Sequence, residues 1–211
     1  MSDATLPDPR IGFFNRIAAE WDAAEQDPAE TIRRLEAISD LLALRPGQQV
    51  LEVGCGTGQL TGWLADRVRP GAVVGVDFSP GMLQQARAKG LEAELRLADV
   101  CRDELGPAQF DLALCFHSFP HFRDQARAVE NLAGVLQCGG RLLVVHLNSR
   151  AEVNAFHDQV GGAVAGDHLP DQPTWDTLLS PVGLRRTHWI DREGLFFLEA
   201  IREIVSPANE V

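Results

Sequence analysis

The chain has 211 residues, 45% of them hydrophobic, which suits one domain built around one core. Its 30 acidic residues outnumber 19 basic ones, and the formal charge of −11 argues against a phosphate backbone as the main partner, because nucleic-acid affinity rests on clustered Lys and Arg. No apolar run approaches the ~20 residues that span a bilayer, and Met1–Arg10 lacks the basic and apolar regions of a secretory signal, so the expected compartment is the cytoplasm.

Lys89 is the sole lysine, which leaves no polybasic arm and no Schiff-base lysine elsewhere. Cys55, Cys101, Cys115 and Cys138 form no C-x-x-C pair, so reduced, partly buried thiols are expected rather than disulfides or a zinc site.

In chain order, residues 1–46 are expected to be a helical cap, with Ile32, Leu35, Ile38, Leu41 and Leu42 at helical spacing. Residues 47–205 form the main domain in this reading. Short apolar runs predict strands over 49–53, 72–77, 94–98, 110–116 and 141–147. Amphipathic stretches predict helices over 59–68, 81–89 and 123–136, with Gly139-Gly140 as a helix stop. Helices over 150–160 and near 174–179 flank a Gly/Pro-rich segment, 161–173. Strands near 184–190 and 195–201 are close enough for a hairpin. Alternating strands and helices of this kind build a doubly wound α/β sheet, and the hairpin adds one antiparallel strand.

The most informative stretch is Val50-Leu51-Glu52-Val53-Gly54-Cys55-Gly56-Thr57-Gly58, a buried strand that runs into three alternate glycines and then a helix. Glycine serves where backbone turns sharply and approaches a ligand closely, and the following helix offers free N–H groups. Alternate glycines alone are a weak signal. Two aspartates sharpen it. Asp77 closes the second strand, placed to accept ribose hydroxyls, and Asp99 ends the third, placed to accept from an adenine amino group. Either one alone is more simply a loop or helix cap.

With Phe110-Asp111-Leu112-Ala113-Leu114, these segments resemble the class I S-adenosylmethionine-dependent methyltransferases, in particular the small-molecule branch that includes quinone-biosynthesis enzymes. The resemblance runs from Phe13–Asp22 to Leu136–Leu142. It implies a Rossmann-like, seven-stranded sheet ordered 3-2-1-4-5-7-6 with strand seven antiparallel, a methyltransferase domain over 47–205, and S-adenosylmethionine as methyl donor to a small molecule. NAD enzymes space their glycines G-x-G-x-x-G instead. By resemblance Glu52, Gly54, Cys55, Gly56 and Gly58 border the methionine part of the cofactor. Asp77 holds its ribose, Phe78 and Met82 flank the adenine, and Ala98, Asp99 and Val100 read its edge. Trp21 and Phe116 complete the set, Trp21 as a lid aromatic beside Phe13. Plain core packing is the alternative for Trp21, Phe78 and Met82.

For chemistry, His117 follows the fourth strand and His146 lies near the end of the fifth, neighbours in that sheet. Three readings stay open. Either ring is a general base or an orienting donor; both are structural, bonded to loop backbone; or His117, His146 and His157 hold a metal. His121 is read as loop scaffold. Asn154, His157 and Asp158 share a helical face that closes over the acceptor in this reading. Without tyrosine there is no phenol-based catalysis, and no Asn-Pro-Pro-Tyr follows strand four, which disfavours nucleic-acid bases as acceptors. A cofactor-binding regulator without turnover and an aminopropyl transferase remain as alternatives.

Overall fold

The structure is a computed structural model that describes residues 8–24 and 27–203. Parts of the expected cap, residues 1–7 and 25–26, and the last two positions of the expected domain, 204–205, lie outside the described residues.

Seven strands form one sheet: β1 (Gln49–Val53), β2 (Ala72–Asp77), β3 (Glu94–Leu97), β4 (Phe110–Phe116), β5 (Leu136–His146), β6 (Leu184–Arg192) and β7 (Leu195–Arg202). Their order is β3-β2-β1-β4-β5-β7-β6, and β7 runs antiparallel to both neighbours. This is the expected topology. Successive strand residues serve opposite faces: Leu51, Val53, Ala113 and Val144 enter one core, and Val50, Leu112, Leu114 and Val145 enter the other. Both faces are covered, which explains why the central strands are continuously apolar.

The N-terminal segment is four short helices, α1 (Pro9–Ile17), α2 (Trp21–Ala24), α3 (Pro28–Glu36) and α4 (Ser39–Leu42). Aspartates open α1 and α3: Asp8 and Asp27 accept the N–H of Arg10 and Ala29, each with proline at the first helical position. The expected cap divides by role. Phe14 and Ala18 of α1 join Met82 above the sheet's edge, whereas Leu35 and Leu42 pack on a sheet face with α5 (Thr61–Val68). Beyond β2 lie α6 (Pro80–Ala88), α7 (Gln125–Val135), α8 (Arg150–Val160) and α9 (Gln172–Leu179), and Ser79, Asp124, Ser149 and Asp171 cap them in turn.

Several element ends shift by one or a few residues from the sequence reading, and the start of β5 differs in kind. Leu136 ends no helix; it starts β5, paired with Phe110, and the next pair is Leu112 with Arg141. Gln137–Gly140 therefore bulge out of the strand. Gly139 sits at φ +79°, and a Cβ on Gly140 would lie 2.8 Å from the Gln137 oxygen. The glycine pair makes a bulge rather than a helix stop. Likewise β3 stops at Leu97, one residue short of the expected end.

Arg141 ties the sheet to α4. Its Nε donates to Glu199 Oε1 at 2.6 Å, and its Nη atoms donate to the Leu42 and Leu41 carbonyls at 2.9 and 3.1 Å. Arg141→Met keeps the stem but leaves the Glu199 carboxylate with only Thr187 and His188 as partners among the described residues, both on its other oxygen. Urea unfolding should show a loss of about 3 kcal/mol, the low end for a broken buried pair because the two side chains are not fully dry.

Candidate active site

The chain after β1 bends through Gly54, Gly56 and Gly58, at φ +71°, +55° and +75°, the left-handed region that disfavours side chains. The three differ in surroundings. A Cβ on Gly54 would meet Ser118 Cβ at 2.4 Å and one on Gly58 would meet Leu91 Cδ1 at 2.6 Å, whereas a Cβ on Gly56 would have nothing within 4 Å among the described residues. Gly54 and Gly58 serve close packing, and Gly56 leaves space for a ligand. The bend is tied to β2, because the N–H groups of Gly54 and Cys55 both donate to the Val76 carbonyl. The Cys55 side chain packs back against Gly75, and burial pushes its thiol far up, so it is inert.

Asp77 ends β2 below this bend. Its two oxygens accept from Gly56 N–H and Ser79 N–H, each at 2.8 Å. Each oxygen keeps a second acceptor position, enough for two ribose hydroxyls. Glu52 is also buried and accepts from Thr61 Oγ1 at 2.6 Å. Among the described residues neither carboxylate has a cationic partner. Burial raises Asp77 to about 6 and Glu52 to about 7, the latter helped by the nearby Asp77 charge. A pocket of this kind favours a positively charged ligand.

Beyond Asp77, Phe78 and Met82 form one wall. Asp99 accepts from Cys101 N–H at 2.9 Å, so its loop-capping role is real. Its other oxygen lies 3.7 Å from Arg102 Nε, and the Val100 N–H has no partner among the described residues. An acceptor next to a free donor is what the edge of adenine requires. The glycine opening, the two buried carboxylates and this edge together fit S-adenosylmethionine.

The lid is built by α1 and α2. Phe14 contacts Phe78, Trp21 and His121 with ring centroids 5.8, 6.0 and 5.0 Å apart. Asn15 Oδ1 accepts from Ser79 Oγ and Gly81 N–H, both at 2.8 Å. Asp22 accepts from Thr57 Oγ1, Gln59 Nε2 and Lys89 Nζ, which ties α2 to the glycine bend. Trp21 and Phe116 both line the cavity; Phe14, Asn15 and Asp22 fall in the Phe13–Asp22 segment of the resemblance, but the sequence alone assigned them no role.

A cavity of about 450 Å³ runs from the glycine bend past the ends of β4 and β5 to α8. The histidines divide there. His117 sits at φ +53°, an uncommon conformation for a side-chain residue, and its Nε2 accepts from Leu147 N–H at 3.0 Å. Burial, with smaller contributions from Arg34, His121 and His157, lowers it to about 3. His146 packs on it at 4.9 Å; its Nε2 is buried without a partner, and burial lowers this ring too. The sequence brought these two together correctly. It missed the partner of His121, whose Nδ1 lies 2.8 Å from Asp167 Oδ2. Of the expected trio on α8, His157 lines the cavity, Asn154 bonds the Leu169 backbone and Asp158 pairs outside with His168. Among the described residues no three His, Cys, Asp or Glu groups are arranged to hold a metal ion. One reason is that the His117 lone pair is already taken.

Residues 50–140 match the family model described as a methyltransferase domain. With the sheet order and the cofactor pocket, this makes the chain a class I S-adenosylmethionine-dependent methyltransferase. It is similar to a ubiquinone biosynthesis O-methyltransferase of Coxiella burnetii, 28% identical over 210 residues that cover 94% of this chain and 86% of that one. A second enzyme so named, from Alkalilimnicola ehrlichii, is 32% identical over 159 residues, 71% of this chain and 63% of its own length. In fold the chain resembles an S-adenosylmethionine-dependent methyltransferase of Mesorhizobium loti, with TM-score 0.66, 20% identity and coverage of 79% and 96%. It also resembles the magnesium protoporphyrin IX methyltransferase of Synechocystis with bound cofactor, with TM-score 0.64, 21% identity and coverage of 96% and 100%.

Two outcomes follow from the carboxylates. Asp77→Asn should weaken S-adenosylhomocysteine binding in calorimetry by about 10–100-fold, the loss of charge-assisted hydrogen bonds worth ~1.5–3 kcal/mol. The second concerns pH. Asp77 and Glu52 have raised pKa values in the fold, from 3.8 to about 6 and from 4.5 to about 7, so between those limits the folded chain holds protons that the unfolded chain has released. Their contribution therefore strengthens ligand-free stability as pH falls from 8 toward 5 and is lost as pH rises through 6 to 7. Thermal melts should show this slope, and Glu52→Gln should flatten it; an identical slope in parent and variant would contradict the assignment.

Proposed function

We propose that the enzyme methylates a hydroxyl oxygen of a small, flat aromatic acceptor, a phenol or hydroquinone, in the cytoplasm. The observation that carries this reading is the cavity beyond the cofactor half, which Phe14, Phe116, Phe122 and Phe156 line together with the histidines. The rings of this part offer flat apolar contact to an acceptor. The likeness to ubiquinone biosynthesis O-methyltransferases supports oxygen as the atom methylated. Among the described residues no helix is long and apolar enough to cross a membrane.

When bound, the cofactor supplies a methyl group already activated by a positive sulfur. The chain's task is alignment, exclusion of water and removal of the acceptor proton. Phe14 and Trp21 cover the reaction space from the side of α1 and α2. Asp77 offers acceptor positions for the cofactor's ribose, and Glu52 adds a second buried carboxylate to the same pocket. His117, with Nε2 already accepting from backbone, has Nδ1–H left to offer and acts as an orienting donor. His146 forms the inner wall behind it.

The test uses the purified protein with methyl-labelled cofactor and a panel of phenols, hydroquinones, amines and thiols, 3,4-dihydroxybenzoate among them. Label should appear as an aryl methyl ether. Transfer only to nitrogen or sulfur, or to nothing in the panel or a cell extract, would overturn the reading.

A further inference from the structure

His121 and His157 stand side by side on the cavity wall, ring centroids 4.8 Å apart. One residue orients both. The Asp167 carboxylate lies 2.8 Å from His121 Nδ1, and the Asp167 backbone carbonyl lies 2.6 Å from His157 Nδ1. A carbonyl oxygen accepts only, so His157 carries its proton on Nδ1; a carboxylate oxygen sets the same tautomer in His121. Each ring thus keeps its lone pair on Nε2, and neither Nε2 has a partner among the described residues. The other Asp167 oxygen accepts from Arg10 Nη1 at 3.2 Å, and Arg10 is itself held by Asp8 through Nε and Nη2 at 3.0 and 2.8 Å. Arg123, half exposed, pairs with Asp8 from outside. Two arginines thus face two carboxylates, and this network fixes Asp167 in place beside His121.

We propose that His121 is the general base of the reaction, that Asp167 is its positioning residue, and that His157 is a neutral acceptor for a second, adjacent hydroxyl of the substrate. The inference rests on the O-methyl transfer proposed above and assigns the proton step within it. The hydroxyl proton passes to His121 Nε2 as the oxygen lone pair forms the new O–CH3 bond. The C–S bond breaks with its electron pair left on sulfur, which becomes neutral. Asp167 stabilises the imidazolium, and the proton then leaves from Nε2 to water. His157 suits the accessory role because burial, with the neighbouring His121, lowers its pKa and keeps it uncharged beside the charged ring. The arrangement of carboxylate, imidazole and reacting hydroxyl follows the logic of activated nucleophiles in general.

The experiment measures methyl transfer to 3,4-dihydroxybenzoate together with S-adenosylhomocysteine binding by calorimetry and thermal stability. His121→Asn should lower kcat about 10²–10⁴-fold, the usual contribution of a positioned base, with cofactor affinity and stability unchanged. Imidazole in the buffer should restore rate to His121→Gly. Asp167→Asn should lower kcat with little change in KM, whereas His157→Gln should raise KM more than it lowers kcat. Full activity in His121→Asn, or a loss accompanied by lost cofactor binding and not restored by imidazole, would overturn the base while the methyl-transfer reading stands. A parent protein that methylates no oxygen acceptor of the panel overturns both.

Discussion

Asp77 accepts hydrogen bonds from the backbone of Gly56 on one side and Ser79 on the other, so one buried carboxylate fixes the bend after β1 and the start of α6 together. Those two segments are the floor and one wall of the cofactor site. The bonds come from backbone and leave the charge formally uncompensated, and although they pull Asp77 down, burial outweighs them and raises it. Structure and ligand preference therefore have the same source. A carboxylate that is well bonded yet unneutralised shapes the loop and awaits a cation.

Glu52 strengthens this effect from one strand over. It shares the pocket with Asp77, whose negative charge adds to burial in making a second one at Glu52 more costly. Among the described residues no cation neutralises either carboxylate, so the pocket is electrostatically suited to a positively charged ligand.

The parts of the molecule that were legible in the sequence are those set by short-range chemistry. The strand–glycine–helix passage at Val50–Gly58, Asp77 at a strand end and the adjacency of His117 and His146 follow from apolar patterning and strand order, and the structure places them accordingly. Gly139-Gly140 was misread because a helix stop and a strand bulge ask the same thing of glycine, positive φ and room for backbone. The bonding state of His117 depends on Leu147 N–H, 30 residues away, which no local pattern encodes. Asp167 lies in a Gly/Pro-rich segment that carries no periodicity, 46 residues from His121 and 157 from Arg10. Such pairings exist only once the sheet has brought loop, strand end and N-terminal helix to one place.

The helix α1 is where these distant parts become coupled. Asn15 fastens it to the N-terminus of α6, where Gly81 has no side chain that could hold the two apart: a Cβ there would lie 2.9 Å from Asn15 Oδ1. Two residues toward the chain start, Phe13 rests edge-on against Phe14, and Phe14 touches both Phe78 on the adenine side and His121 on the acceptor side. Arg10, near the start of the same helix, holds the carboxylate that orients His121. Through these contacts α1 bridges the Phe78 wall of the pocket and the His121 ring, and its Arg10 anchors the Asp167 carboxylate beside that ring.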